Sequence, residues 1–364
     1  MQVIRRIVAM GGGGFSMEPE NLALDRWVLA LTGKPRPRVC FLPTASGDAR
    51  GYIEKFFSAF GRLECEPVCL SLFRRESDDL RGLLLEQDVI YVGGGNTANM
   101  LSVWRTHGVD KILREAWEAG VLLTGLSAGS LCWFEEGVTD SLGTELEALQ
   151  DGLGLLPGSH CPHYDGEVAR RPTYRRLVRS GRLGGGIAAD DGVGLLFEGR
   201  ELKEVVTSRV GTGAWKVGVR GGEVVEEWIE ARRLTPEGVV APFRGGCHCG
   251  RVVWEIDVDP RSRRVLDCNC SICRKKGFLH LIVKPEEFRL ICGEEVLREY
   301  RFNTETAVHR FCGCCGVHSF YTPRSHPDQV DVNVRCIRGV ALEELTVERF
   351  DGENWEERVE EIRG

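Results

Sequence analysis

Over the first two thirds of the chain, short apolar runs alternate with stretches of helical periodicity. That alternation predicts an α/β unit, a mostly parallel sheet flanked on both faces by helices. The run Ile7 to Met10 leads into four glycines, and residues 19–31 then carry a helical pattern. Strands are predicted over 38–42, 67–72 and 88–92, the last closing in Gly93-Gly94-Gly95-Asn96, with helices near 52–60, 97–104 and 110–119. From 195 to 228 short strands alternate with glycine turns and close a first domain, 1–234. Residues 235–246 combine two prolines with three glycines, which suits a linker better than a long helix or a central strand. Beyond it, apolar runs at 252–256, 280–283, 288–291 and 330–334 predict a small β-rich domain over 247–345, with 346–364 left as a carboxy-terminal tail.

One predicted strand carries chemistry. Residues 121–124 run straight into Gly125-Leu126-Ser127-Ala128-Gly129 and then into a helical pattern over 130–134. A serine at a sharp strand-to-helix turn, with small neighbours on both sides, is the signature of a nucleophile elbow. The helix amino terminus beneath it favours developing negative charge, and the turn Gly93 to Asn96 on the neighbouring strand offers a facing backbone N–H. The plain alternative is a tight turn that merely contains a serine. A hydroxyl nucleophile needs a base, and the histidines of this domain are His107, His160 and His163. Pro162 stiffens the backbone before His163, a property that suits a base that must be aimed; His160 is the weaker candidate and His107 a solvated one.

The cysteines tell a different story. Ten of fifteen lie at position 247 or beyond, and seven of those form the clusters Cys247/Cys249, Cys268/Cys270/Cys273 and Cys312/Cys315. Spacing of two or three residues among charged and glycine-rich neighbours fits metal thiolate ligation far better than core packing. Cys247, Cys249, Cys312 and Cys315 could close a four-thiolate zinc site, whereas Cys268, Cys270 and Cys273 supply three ligands and no evident fourth. Four ligands make a closed structural site and three leave a position open; an iron–sulfur cluster is the competing reading. Cys292 and Cys336 read as buried small hydrophobes, and Cys314 is ambiguous. A unit of roughly 100 residues has a limited core, which a metal would reinforce.

Composition narrows the partners. Apolar residues make up 42% and charged residues 28%, the balance of a globular protein, and a net charge of −7 without aromatic-interleaved basic stretches argues against nucleic acid. No apolar run reaches membrane-spanning length, and the amino terminus has too short an apolar run for a signal peptide. A cytoplasmic setting follows, where thiols stay reduced. Oligomeric state is not written in the pattern.

The motifs YVGGGNTANML, GLSAGS and GLGLLPGSHCPHYD, in this order, resemble peptidase E, the aspartyl dipeptidase family of serine peptidases, over about residues 5–220. The resemblance implies a fold like that of class I glutamine amidotransferases and a small peptide substrate. It makes Ser127 the nucleophile, His163 the base, and the N–H groups of Gly94 or Gly95 with that of Ala128 the oxyanion hole. The acid of the triad falls on Asp140, with Asp191, Glu135 and Glu136 as rivals. Arg171 takes the place of an arginine that pairs with the substrate's acidic side chain, although the surrounding ARRPTYRR departs from the dipeptidase pattern and equally suits a basic helix face. GGCHCG, CNCSICRKKG and FCGCCG are similar to glutathione-dependent formaldehyde-activating (GFA) enzymes over about residues 243–340. That likeness implies two zinc sites, structural at Cys247, Cys249, Cys312 and Cys315 and catalytic at Cys268, Cys270 and Cys273, with glutathione as co-substrate of a carbon–sulfur lyase. Three readings remain: a peptidase fused to a zinc enzyme, a lyase with an accessory first domain, or a peptidase with a zinc-stabilised docking module.

Overall fold

The structure is a computed structural model that describes residues 3–75 and 77–363. The chain divides into two compact units, Met1–Val240 and Ala241–Gly364.

In the first unit, β1 (Arg6–Met10), β2 (Arg38–Leu42), β3 (Glu66–Cys69), β4 (Val89–Val92) and β5 (Leu122–Leu126) form a parallel block in the order β1-β5-β4-β2-β3. β4 and β5 are buried along their whole length, as strands covered on both faces must be. One face packs on Trp104, Leu113 and Trp117 from the helices Thr97–His107 and Val109–Glu118. The other packs on Phe15, Trp27, Phe56 and Phe60. Strands Val193–Glu198 and Glu201–Thr207 extend the sheet antiparallel beyond β1.

A second, six-stranded sheet lies beside the expected one. Phe134–Thr139, Leu156–Cys161 and Gly186–Ala189 run parallel in it, and the hairpin Gly213–Arg220 and Glu223–Glu230 completes one edge. The stretch 154–165 reads as a loop in sequence because proline, glycine, serine and histidine interrupt it. Its pairing is made by backbone groups, which those side chains do not prevent, and Gly158 takes a positive φ of 74° at the bend.

The second unit is β-rich. A three-stranded sheet joins Phe243–Gly246, Val253–Ile256 and Phe288–Cys292, and a five-stranded sheet has the order Phe320–Tyr321, Val330–Asn333, Leu279–Val283, Val265–Cys268, Val347–Phe350. Trp254, Ile256, Leu281 and Val332 are at its core. Two boundaries shift. Phe243–Gly246 belongs to a strand, not to a linker, since Gly245 pairs with Trp254 and leaves room for its indole. Residues 346–364 are no tail either: Val347–Phe350 pairs parallel with Val265–Cys268, and the chain ends in short helices, Trp355–Arg358 and Glu360–Arg363. Among the described residues no helix is long and apolar enough to cross a membrane.

Candidate active site and thiolate centres

Ser127 stands between the end of β5 and the helix Ala128–Leu131, at φ 55° and ψ −116°. A positive φ is costly for a residue with a β-carbon, and it persists only where the surroundings fix it. His163 shares the feature, also at φ 55°. Both backbones are tied to the exit of β1: the Ser127 N–H donates to the Met10 carbonyl at 3.3 Å, and the His163 N–H to the Gly11 carbonyl at 3.0 Å. Two strained residues that are 36 positions apart in sequence (163 − 127) thus hang from consecutive peptide groups.

The imidazole is held from behind. His163 Nδ1 lies 2.6 Å from Asp191 Oδ1, with both residues buried. The Asp191 N–H donates to Asp165 Oδ1 at 2.7 Å, and Arg209 Nη1 is 3.9 Å from Asp191 Oδ2. With Nδ1–H donated to a carboxylate, Nε2 carries the free lone pair. The slot is cut to fit by glycine: a β-carbon on Gly12 would lie 2.1 Å from Asp191 Oδ1 and 2.9 Å from the His163 ring.

Other expectations change. Asp140 is exposed just after the strand Phe134–Thr139, and the carboxylate on His163 is Asp191 instead. Asp191 follows Gly186–Ala189 and precedes Val193–Glu198, where the chain crosses from the second sheet to the first. That crossing delivers it to β1, and nothing about its distance along the chain announces it. Glu135 bonds the Gly158 N–H at 2.9 Å, and Glu136 accepts from the Gly184 N–H. Arg171 is also committed: its Nε and Nη2 reach Glu226 at 3.0 and 3.3 Å, and its guanidinium lies 4.4 Å from the Trp215 ring. This fork, filled by a carboxylate and stacked on an indole, holds the helix Arg170–Arg179 to the hairpin. His160 is fully buried, with Nδ1 2.9 Å from the Ile187 carbonyl and Nε2 3.0 Å from Ser130 Oγ. Burial lowers its pKa to about 3, so it is a neutral packing residue. Gly94 lies beside Ser127, yet its N–H already donates to the Tyr52 hydroxyl at 3.2 Å. Ala128 opens its helix, so its N–H has no intrahelical acceptor.

The thiols of the second unit gather in two groups. The sulfurs of Cys247, Cys249, Cys312 and Cys315 all lie within 4.8 Å of one another, with 3.5 Å between Cys247 and Cys249 and 3.7 Å between Cys249 and Cys312. A Zn–S bond of about 2.3 Å gives a tetrahedral edge of about 3.8 Å, so this donor set fits a closed four-thiolate site. Cys268, Cys270 and Cys273 form the other group, also within 4.8 Å. A β-carbon on Gly352 would come within 2.3 Å of Cys268 Sγ, so the loop after Val347–Phe350 lies directly on this trio. The trio stands in the wall of a cavity of about 520 Å³ that also includes His280, Tyr321, Arg324, Asp331 and Trp355. Cys314 is exposed, with Arg251 Nη1 3.4 Å from its sulfur, and belongs to neither group. Cys292 is exposed at the end of its strand and Cys336 half-buried, so neither is the fully buried hydrophobe its surroundings in sequence suggest.

Gly12, Asp165, Gly352, His280 and Asp331 carry no local motif. The acidic pair Asp190-Asp191 before Gly192, directly after an apolar run, is a turn signal that points to the carboxylate beside His163.

A parallel block with a strained serine turn and a buried His–Asp pair, joined in sequence to a separate thiolate unit, makes this a two-part protein. Residues 7–205 match Peptidase family S51 and residues 242–349 match the Glutathione-dependent formaldehyde-activating enzyme family. The chain belongs to peptidase family S51 and carries a GFA domain behind it. It is 53% identical over 223 residues to the uncharacterized peptidase YgaJ of Bacillus subtilis (strain 168), covering 61% of this chain and 96% of that protein. Peptidase E of Shewanella denitrificans is 29% identical over 144 residues, 39% of this chain and 56% of its own length. The crystal structure of a peptidase from an acI-B1 actinobacterium superposes with a TM-score of 0.50 at 19% identity, over 63% of this chain and 96% of that one, a likeness of fold.

Proposed function

We propose that the first unit is a serine-type peptidase acting on small peptides through Ser127, His163 and Asp191. The observation that carries this is the buried 2.6 Å His163–Asp191 contact, tied to the same β1 exit as the strained Ser127. In this reading Ser127 Oγ attacks the scissile carbonyl while His163 Nε2 takes its proton. Asp191 holds the tautomer and stabilises the imidazolium that forms. The N–H groups of Ala128 and Gly95 receive the oxyanion, since that of Gly94 is engaged by Tyr52. His163 gives that proton to the departing amine as the C–N bond breaks and the acyl-enzyme forms; it then takes a proton from the attacking water and returns it to Ser127 Oγ as the acid is released. With Arg171 committed to Glu226, preference for an acidic side chain loses its assigned partner.

The second unit we read as a zinc domain with carbon–sulfur bond chemistry on a small thiol such as glutathione. Cys247, Cys249, Cys312 and Cys315 would hold a structural ion, and Cys268, Cys270 and Cys273 an open one at the cavity. A zinc bound by three thiolates would lower the pKa of a thiol or water in its fourth position. We place the protein in the cytoplasm, where thiols stay reduced and clustered cysteines are available to bind metal.

The test is hydrolysis of a dipeptide panel, aspartyl dipeptides included, by the full-length protein and its Ser127→Ala variant. Activity that depends on Ser127 supports the assignment; activity that survives its loss overturns it.

A further inference from the structure

The five-stranded sheet of the second unit has two unlike faces. Leu279, Leu281, Val283 and Val332 enter the core. Register sets Leu266, His280 and Asn333 side by side, and strand alternation puts Cys268, Ile282 and Asp331 on that same face. Leu266, Cys268, His280, Ile282 and Asp331 all line the 520 Å³ cavity, so this face is its floor. Three adjacent strands therefore deliver a thiolate ligand candidate, an imidazole and a carboxylate to one wall.

The imidazole is fixed and incompletely used. His280 Nδ1 lies 2.8 Å from Asp331 Oδ2, and the Tyr321 hydroxyl is 3.5 Å from the same nitrogen. His280 is 5% exposed and Asp331 1% exposed. Among the described residues His280 Nε2 has no hydrogen-bond partner. A carboxylate on Nδ1 makes that nitrogen the donor and leaves Nε2 a bare acceptor. Buried polar atoms in folded proteins are nearly always satisfied, so this shielded acceptor, on a residue that lines the cavity, can be met by an occupant's donor once the ring or a neighbour gives way. His280 is not part of the sulfur group, whose three atoms close among themselves. A cavity of this size accommodates a molecule as large as a short peptide.

We propose that His280 is a ligand-binding residue of this cavity, its Nε2 accepting the hydrogen bond of an S–H or O–H group on a small molecule, with Asp331 as the positioning residue that fixes the tautomer. The proposal rests on the reading of this unit as thiol-handling. It gives His280 a task distinct from that of the sulfur trio: the cysteines hold the metal, and the histidine distinguishes an occupant that carries a donor from one that does not.

The test is calorimetric binding to the full-length, as-purified protein with three probes: glutathione, its serine analogue (O–H for S–H) and S-methylglutathione, which has no donor there. His280→Phe is expected to weaken glutathione and the serine analogue by about tenfold while leaving S-methylglutathione unchanged, the effect of one buried hydrogen bond. Asp331→Asn should move both donors in the same direction by less. An equal effect of His280→Phe on all three probes would overturn the proposal alone. Absence of glutathione binding to the wild type would overturn the thiol reading, and the proposal with it. Should His280→Phe fail to fold, imidazole nitrogen NMR of the wild type decides. One ring with a fixed Nδ1–H and an Nε2 signal that moves with glutathione but not with S-methylglutathione supports the proposal. An Nε2 signal unmoved by glutathione overturns it.

Discussion

The two sites are assembled in opposite ways. In the first unit Ser127, His163 and Asp191 come from separate strand ends: His163 meets Asp191 at 2.6 Å, and the backbones of Ser127 and His163 are tied to the Met10–Gly12 segment. In the second, each sulfur group is built from cysteines two or three residues apart, and the larger one joins two such pairs. The peptidase site therefore depends on backbone geometry, down to glycines that carry no chemistry. The thiolate sites depend on donor atoms that short spacing already brings together. Substitutions should sort accordingly.

The largest effect is expected at the reacting atoms. Ser127→Ala should lower dipeptide kcat by about 10⁶, the effect of a missing nucleophile, and Asp191→Asn by about 10⁴, the effect of a wrong tautomer. Asp140→Asn should leave kcat unchanged. Steady-state kinetics on the three purified proteins checks all of this, and equal losses at Asp140 and Asp191 would erase the distinction drawn between them.

Next comes a glycine. Gly12→Ala puts a β-carbon 2.1 Å from Asp191 Oδ1, so the acid or the imidazole must move. A displacement of about 1 Å costs on the order of 10² in rate. Kinetics paired with circular dichroism should show lost activity in a folded protein. The second unit provides the contrast. Cys315→Ser should remove one zinc and destabilise the unit by several kcal/mol, on the order of a lost structural metal site, whereas Cys270→Ser should remove one zinc with little change in unfolding. Metal analysis with calorimetry separates them, and neither change should touch dipeptide hydrolysis.

A separate effect, away from both sites, concerns stability. Asp25 is fully buried, and burial raises its pKa from 3.8 to about 7 although Tyr91 donates a hydrogen bond to it at 3.1 Å. Between those values the folded state keeps a proton that the unfolded chain has released, so stability falls as pH rises through this window and levels off above it. Asp25→Asn should match the wild type near pH 4 and exceed it near pH 8 in chemical denaturation.

This division also explains what could be read in advance. The parallel block was legible because strands buried on both faces are continuous apolar runs, as in Val89–Val92. The cysteine groups were legible because ligands two or three residues apart are a local pattern. Ser127 and His163 were marked by a turn motif and by Pro162. Asp191 was only one rival among several, because what selects it is the crossing between two sheets, and the second sheet is built from strands such as Leu156–Cys161 whose side chains do not alternate. The contact of Arg171 was hidden for a related reason: its partner Glu226 lies 55 residues away on a hairpin that only the folded chain brings to it.

The central claim, that His163 and Asp191 activate Ser127, is tested most directly by intact-mass labelling of the full-length protein with a fluorophosphonate, followed by peptide mapping. A single adduct on Ser127 is expected, formed equally fast in Asp140→Asn and far more slowly in Asp191→Asn. An adduct that persists in Ser127→Ala, or that forms at the wild-type rate in Asp191→Asn, would contradict the account.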